Sequence, residues 1–175
     1  MMKKDVFKKE PRIPIENWQK LPSYDWFDGN LENLESLKVL QIHMKLTREY
    51  ELENIFTQNK KDIMELSKNW DGYGAPSIKE NTLERVFELL KQIYSVLWED
   101  MIKIPIPLIQ PVPDGSIDIN WETDQFELLI NVPKDQNLLV NLYGEKLGHP
   151  QDEIEHRSHY DLISKVIIGW LKKIH

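Results

Sequence analysis

Pro113-Asp114-Gly115-Ser116-Ile117-Asp118-Ile119-Asn120-Trp121-Glu122-Thr123-Asp124-Gln125-Phe126-Glu127-Leu128-Leu129-Ile130-Asn131-Val132 is the stretch that decides the fold. Its period is two. Ile117, Ile119 and Trp121 alternate with Asp118, Asn120 and Glu122. Phe126, Leu128, Ile130 and Val132 alternate with Glu127, Leu129 and Asn131. Such alternation marks strands with one buried and one solvated face. Asp114-Gly115 is a hairpin signal, and Thr123-Asp124-Gln125 is a second turn. Short connections make the strands antiparallel neighbours.

Working outward, Pro105, Pro107, Pro111 and Pro113 exclude a helix over 104–113 and restrict it to an extended or edge strand. Downstream, Pro133–Asn137 reads as a turn and Leu138–Tyr143 as the last strand. Residues 144–157 read as a polar loop. A final helix is expected over 158–174, with Ile163, Val166, Ile167, Trp170, Leu171 and Ile174 inward.

Upstream, Leu83, Val86, Phe87, Leu90, Tyr94, Leu97, Trp98 and Met101 form an apolar stripe that predicts a helix over 78–102. Ser77-Ile78-Lys79-Glu80 has the spacing of a capping box at its start. A second helix is expected over 48–68, from Leu52, Ile55, Phe56, Ile63 and Leu66. Between these helices lies the corner Asn69-Trp70-Asp71-Gly72-Tyr73-Gly74-Ala75-Pro76. Gly72 suits a left-handed helix terminus, and Pro76 blocks continuation. Residues 31–46 carry two patterns: Leu34, Leu37 and Gln41 suggest helical spacing, whereas Leu40, Ile42, Met44 and Leu46 alternate with Gln41, His43 and Lys45 and favour a strand over 38–46.

Residues 1–45 are expected to form an N-terminal arm, partly irregular, with residues 46–175 as a single α+β domain. Pro11, Pro14, Pro22 and the Asp28-Gly29-Asn30 turn break the arm, yet it holds Trp18, Tyr24, Trp26 and Phe27. Disordered segments are poor in aromatics. The arm therefore packs on its own domain or on a partner, and its aromatics are the candidate partner anchors. The expected architecture is α+β. An antiparallel meander of three to four strands is covered on one face by two or three helices.

Two segments together resemble a known family. Trp70-Asp71-Gly72-Tyr73-Gly74-Ala75-Pro76 is followed by a helix, and Pro111-Val112-Pro113-Asp114-Gly115-Ser116-Ile117, ending at Trp121, is followed by alternating strands. The pair looks like a group of small, uncharacterised bacterial and phage-type proteins that share both motifs. The resemblance covers about residues 66–143. It implies a shared fold and carries no known activity.

The chain has 175 residues and a net charge of -7. Residues 1–20 contain six basic and three acidic residues, so a +3 arm precedes a -10 body. An acidic body repels phosphate backbones, so a nucleic-acid partner is expected only through residues 1–20. There are no cysteines, which excludes disulfides and thiolate zinc sites and agrees with a cytoplasmic location. No apolar run approaches a membrane span, and none follows Lys3, Lys4, Lys8 and Lys9, so neither a membrane segment nor a secretory signal is expected.

Candidate chemistry is sparse. Trp70, Asp71 and Tyr73 could contact a ligand at the glycine corner; read structurally, the same residues turn the chain between helices. The structural reading has Trp70 buried and Asp71 bonded to nearby amides, whereas the ligand reading requires a cleft beside Tyr73. Likewise, Trp121 falls in phase with Ile117 and Ile119 and reads as core. His149, His156 and His159 lie among Asp152, Glu153, Glu155 and Asp161, a composition that suits a divalent metal. They lack the His-Glu-x-x-His spacing of a helical zinc site. No Gly-x-Ser-x-Gly elbow or phosphate-binding glycine loop occurs. No cofactor is implied.

The leading expectation is a non-enzymatic accessory protein that docks onto another protein or a second copy of itself. Antitoxin-like, inhibitor-like or complex-subunit roles, including phage defence, suit its size and acidity. The alternatives are a small metal-dependent hydrolase using the His149–His159 segment, and nucleic-acid binding through the basic arm.

Overall fold

The computed structural model describes residues 34–175. Trp18, Tyr24, Trp26, Phe27 and the basic residues of 1–20 lie outside them. The elements are α1 (Leu34–Met64), α2 (Glu80–Glu99), β1 (Leu108–Pro111), β2 (Ile117–Glu122), β3 (Phe126–Val132), β4 (Val140–Lys146), β5 (His149–Ser158) and α3 (Tyr160–Ile174). Internal contacts separate the chain between Ile42 and His43. Leu34–Ile42 is the opening of α1, and all packing below concerns residues 43–175.

The five strands form one antiparallel sheet in sequence order, β1-β2-β3-β4-β5. The fold is thus α+β, as the alternation predicts, with five strands rather than three or four. Ile117, Ile119 and Trp121 on β2, Phe126, Leu128, Ile130 and Val132 on β3, and Val140 and Leu142 on β4 are buried on one face. Leu83, Val86, Leu90, Ile93 and Leu97 of α2 and Ile163, Ile167 and Leu171 of α3 complete that core. Each such side chain stabilises the fold by roughly 1.5–3 kcal/mol on burial.

Polar bonds fix the layers. The Tyr94 hydroxyl and the Trp121 indole N–H both donate to the Pro105 carbonyl, at 2.5 and 2.8 Å, tying α2 and β2 to the segment before β1. Burial pushes the Tyr94 phenol well above its ordinary pKa. The Tyr160 hydroxyl donates to the Arg85 carbonyl, while the Arg85 guanidinium stands 4.9 Å over the Tyr160 ring and donates to the Pro133 carbonyl. This pair joins α2 to the start of α3.

Four expectations are corrected. Residues 38–46 are helix, not strand; they belong to α1, as do residues 34–45 of the expected N-terminal arm. No Gly or Pro falls between Leu34 and Met64, so a nucleated helix extends more cheaply than it breaks. The Ser77–Glu80 capping box does not form. Lys79 is the N-cap, without a side-chain cap bond. Ile78 is drawn into the core instead, and Glu80 pairs with Lys60 of α1 at 2.6 Å. The polar loop over 144–157 is the end of β4 and the ten-residue β5. Finally, β4 is not the last strand. A strand at the sheet edge lacks clean alternation because solvent bathes much of both faces, and the periodicity is therefore lost.

Candidate functional site

The corner is held by its own polar groups. Asn69, Gly72 and Gly74 have φ of 69°, 78° and 100°. Asp71 Oδ1 accepts from the Tyr73 and Ala75 amides at 2.8 and 3.0 Å, and Asn69 Oδ1 accepts from the Gly74 amide at 2.7 Å. These backbone donors hold the Asp71 carboxyl below its ordinary pKa, Ala75 first. The Trp70 indole donates to the Pro76 carbonyl at 3.1 Å. Trp70 is half-buried rather than buried. Tyr73 is 95% exposed. Asp71 is thus engaged within the turn it closes, as the structural reading expects.

The histidines do not converge. His149 opens β5 opposite Lys146 and His156 lies opposite Leu142, positions four residues apart on β4, or about 13 Å at strand rise. His159 is the N-cap of α3. His149 sits opposite Lys146, a cation, and its Nδ1 lies 3.3 Å from the Gln151 amide. Among the described residues, no group of three or more His, Asp or Glu is placed to hold a metal ion.

The feature with the most to offer is the face of the sheet turned away from the helices, which no described element covers. Register sorts its side chains into three rows running across the strands. The first is polar: Gln110, Asp118, Asn131, Asn141 and Arg157. Within it, the Asn131 amide donates to Asp118 at 2.7 Å and to the Ser116 hydroxyl at 2.9 Å. The middle row runs Leu108, Asn120, Leu129, Tyr143, Glu155. Leu108, Leu129 and Tyr143 are 55%, 39% and 38% exposed, respectively. In the third row Glu122 faces Glu127, and Glu127 faces Glu145.

The acidic row sets the local electrostatics. The Tyr143 hydroxyl donates to Glu145 Oε2 at 2.8 Å. That bond, with the Glu145, Glu153 and Glu127 charges, pushes the Tyr143 phenol up to about 12. The described ion pairs join Lys60 to Glu80, Lys91 to Glu53, Lys172 to Asp100 and Lys173 to Asp152, and none neutralises the row. A shallow pocket of about 210 Å³ adjoins the row, lined by Pro105, Ile106, Leu108, Asn120, Trp121 and Glu122. That is below the range of pockets that enclose small ligands. The face thus offers apolar contact area in a negative field.

Sequence reasoning marks Glu127, Leu129 and Asn131 as the solvated face of a strand but does not single out Leu129, Tyr143, Glu127 or Glu145. One signal for Leu129 is present: it is an apolar residue on the polar phase of its strand. The cross-strand alignment of the glutamates has no local signal. Comparison with protein-family models, curated proteins and solved structures finds no match to this chain.

Proposed function

We propose that this chain is a non-enzymatic accessory protein that works by docking another protein onto the uncovered face of its sheet, in an inhibitor-like, antitoxin-like or complex-subunit role. The observation that carries the reading is the middle row. Leu129 and Tyr143 stand side by side, exposed, at the centre of a covered sheet's free face. Aromatic and aliphatic anchors inside a polar rim are the usual make-up of a protein interface. The glutamate row beside them favours a basic partner surface and repels nucleic-acid phosphates.

The test is co-purification from the native host. Wild-type protein is compared with the Leu129→Ala, Tyr143→Ala double variant and with Glu84→Lys on the exposed side of α2. The reading predicts a stoichiometric partner protein that the double variant loses and Glu84→Lys keeps. Retention of the partner by the double variant contradicts it.

A further inference from the structure

The two edges of the sheet are unlike each other. β1 is four residues long and ends at Pro111, with Pro105, Pro107 and Pro113 nearby. Proline removes the amide that an added strand needs, so this edge is blocked. β5 is ten residues long, is the last strand in the sheet order, and has no proline after Pro150. No described strand pairs with its outer side. Its first half is occupied: the Trp170 indole donates to the Asp152 carbonyl at 2.7 Å, and Lys173 pairs with the Asp152 carboxylate at 2.9 Å. Ile154–Ser158 remains, regularly paired to β4 on its inner side.

We infer that this free half of β5 pairs antiparallel with the same segment of a second copy, about a two-fold axis through His156. Charge complementarity selects both the occupant and the register. Glu155 and Arg157 lie on the same face of the strand, two residues apart, so a two-fold centred between them sets Glu155 of each copy opposite Arg157 of the other. Centring the axis one residue earlier opposes Glu155 to Glu155, although it also sets Glu153 opposite Arg157. Centring it on Ile154 opposes Glu153 to Glu155. Like charges directly opposite destabilise a ladder and opposite charges support it, so the His156 register is favoured as the one that forms opposite-charge pairs without opposing like charges. The product is a continuous ten-stranded sheet, with both helical layers on one side and both free faces on the other. This assembly stands independently of the docking role proposed above.

The test is sedimentation velocity over a concentration series of the full chain, with Glu155→Arg, Arg157→Glu and the double charge swap. Wild type is expected to dimerise. Each single reversal weakens the dimer about tenfold or more, because two-fold symmetry counts every reversed pair twice. The double swap restores it. A wild type that stays monomeric throughout overturns the inference, and the charges of β5 then act as guards against edge pairing. Single reversals without effect, or a double swap without rescue, overturn it as well. Amide hydrogen exchange of residues 154–158 in wild type gives a readout free of any folding defect in the variants. Protection that rises with protein concentration supports the pairing, and protection independent of concentration refutes it.

Discussion

Glu127 on β3 stands directly opposite Glu145 on β4, on the sheet face that no described element covers. Glu122 on β2 opposes Glu127 from the other side. Directly opposed like charges in an antiparallel pair work against the ladder that carries them. A fold optimised for stability alone has no use for such a row, whereas a docking face for a basic partner does.

Relief of that repulsion is measurable. Glu127→Gln is expected to raise stability by about 0.2–1 kcal/mol in urea unfolding at low salt. The gain shrinks as salt screens the exposed charges. A destabilised Glu127→Gln protein contradicts the account of the row.

Tyr143 reports the same field. Its phenol is expected to ionise near 12, assigned by difference against Tyr143→Phe because burial also raises Tyr94 and Tyr160. Glu145→Gln removes both the carboxylate acceptor and the largest charge, so Tyr143 should then titrate closer to the ordinary tyrosine value. An unchanged titration excludes Glu145 as the cause.

Two glycines fail for different reasons when substituted. Gly74 has φ of 100° and open space where a Cβ would go, so Gly74→Val costs only backbone strain, roughly 1–3 kcal/mol. At Gly144 the crowding is from packing. A Cβ there meets Leu128 Cδ1 and Trp170 Cη2 at 3.0 Å and Ile154 Cγ2 at 3.1 Å. Gly144→Val should cost about 1–3 kcal/mol or more through displacement of α3. Thermal unfolding compares them, and the near-ultraviolet signal of Trp170 should change for Gly144→Val alone.

Asp71 makes the corner sensitive to acid. Its folded pKa lies below the unfolded one, so its stabilisation is complete above the unfolded value, about 3.9. It is lost as pH falls through the folded value. Asp114 is depressed likewise, chiefly by the Ser116 hydroxyl and amide. Asp71→Asn should therefore flatten the fall in stability below about pH 4 without altering its shape near neutrality. An acid limb identical to wild type rules Asp71 out as a contributor.

The sequence makes the central meander readable because both of its faces are settled locally. Ile117, Ile119 and Trp121 meet helices, while Asp118, Asn120 and Glu122 meet water. The corner is equally plain, since Gly72 and Gly74 are needed at positive φ and Asp71 bonds within four residues of itself. The illegible parts depend on distant partners. β5 pairs with β4 but faces water on much of its surface, so its alternation is erased. Residues 38–46 alternate like a strand, yet they hold no breaker and, among the described residues, have no pairing strand, and α1 runs through them. The free face is visible as polar positions strand by strand. That its glutamates and its Leu129–Tyr143 pair line up across strands is set by register, which no single segment encodes.

Hydrogen–deuterium exchange of the chain with and without its captured partner protein tests the docking face most directly. The account predicts new protection across β2, β3 and β4, strongest around Leu129 and Tyr143, with α2 and α3 unchanged. Protection confined to the helices, or to the Trp70–Pro76 corner, contradicts it.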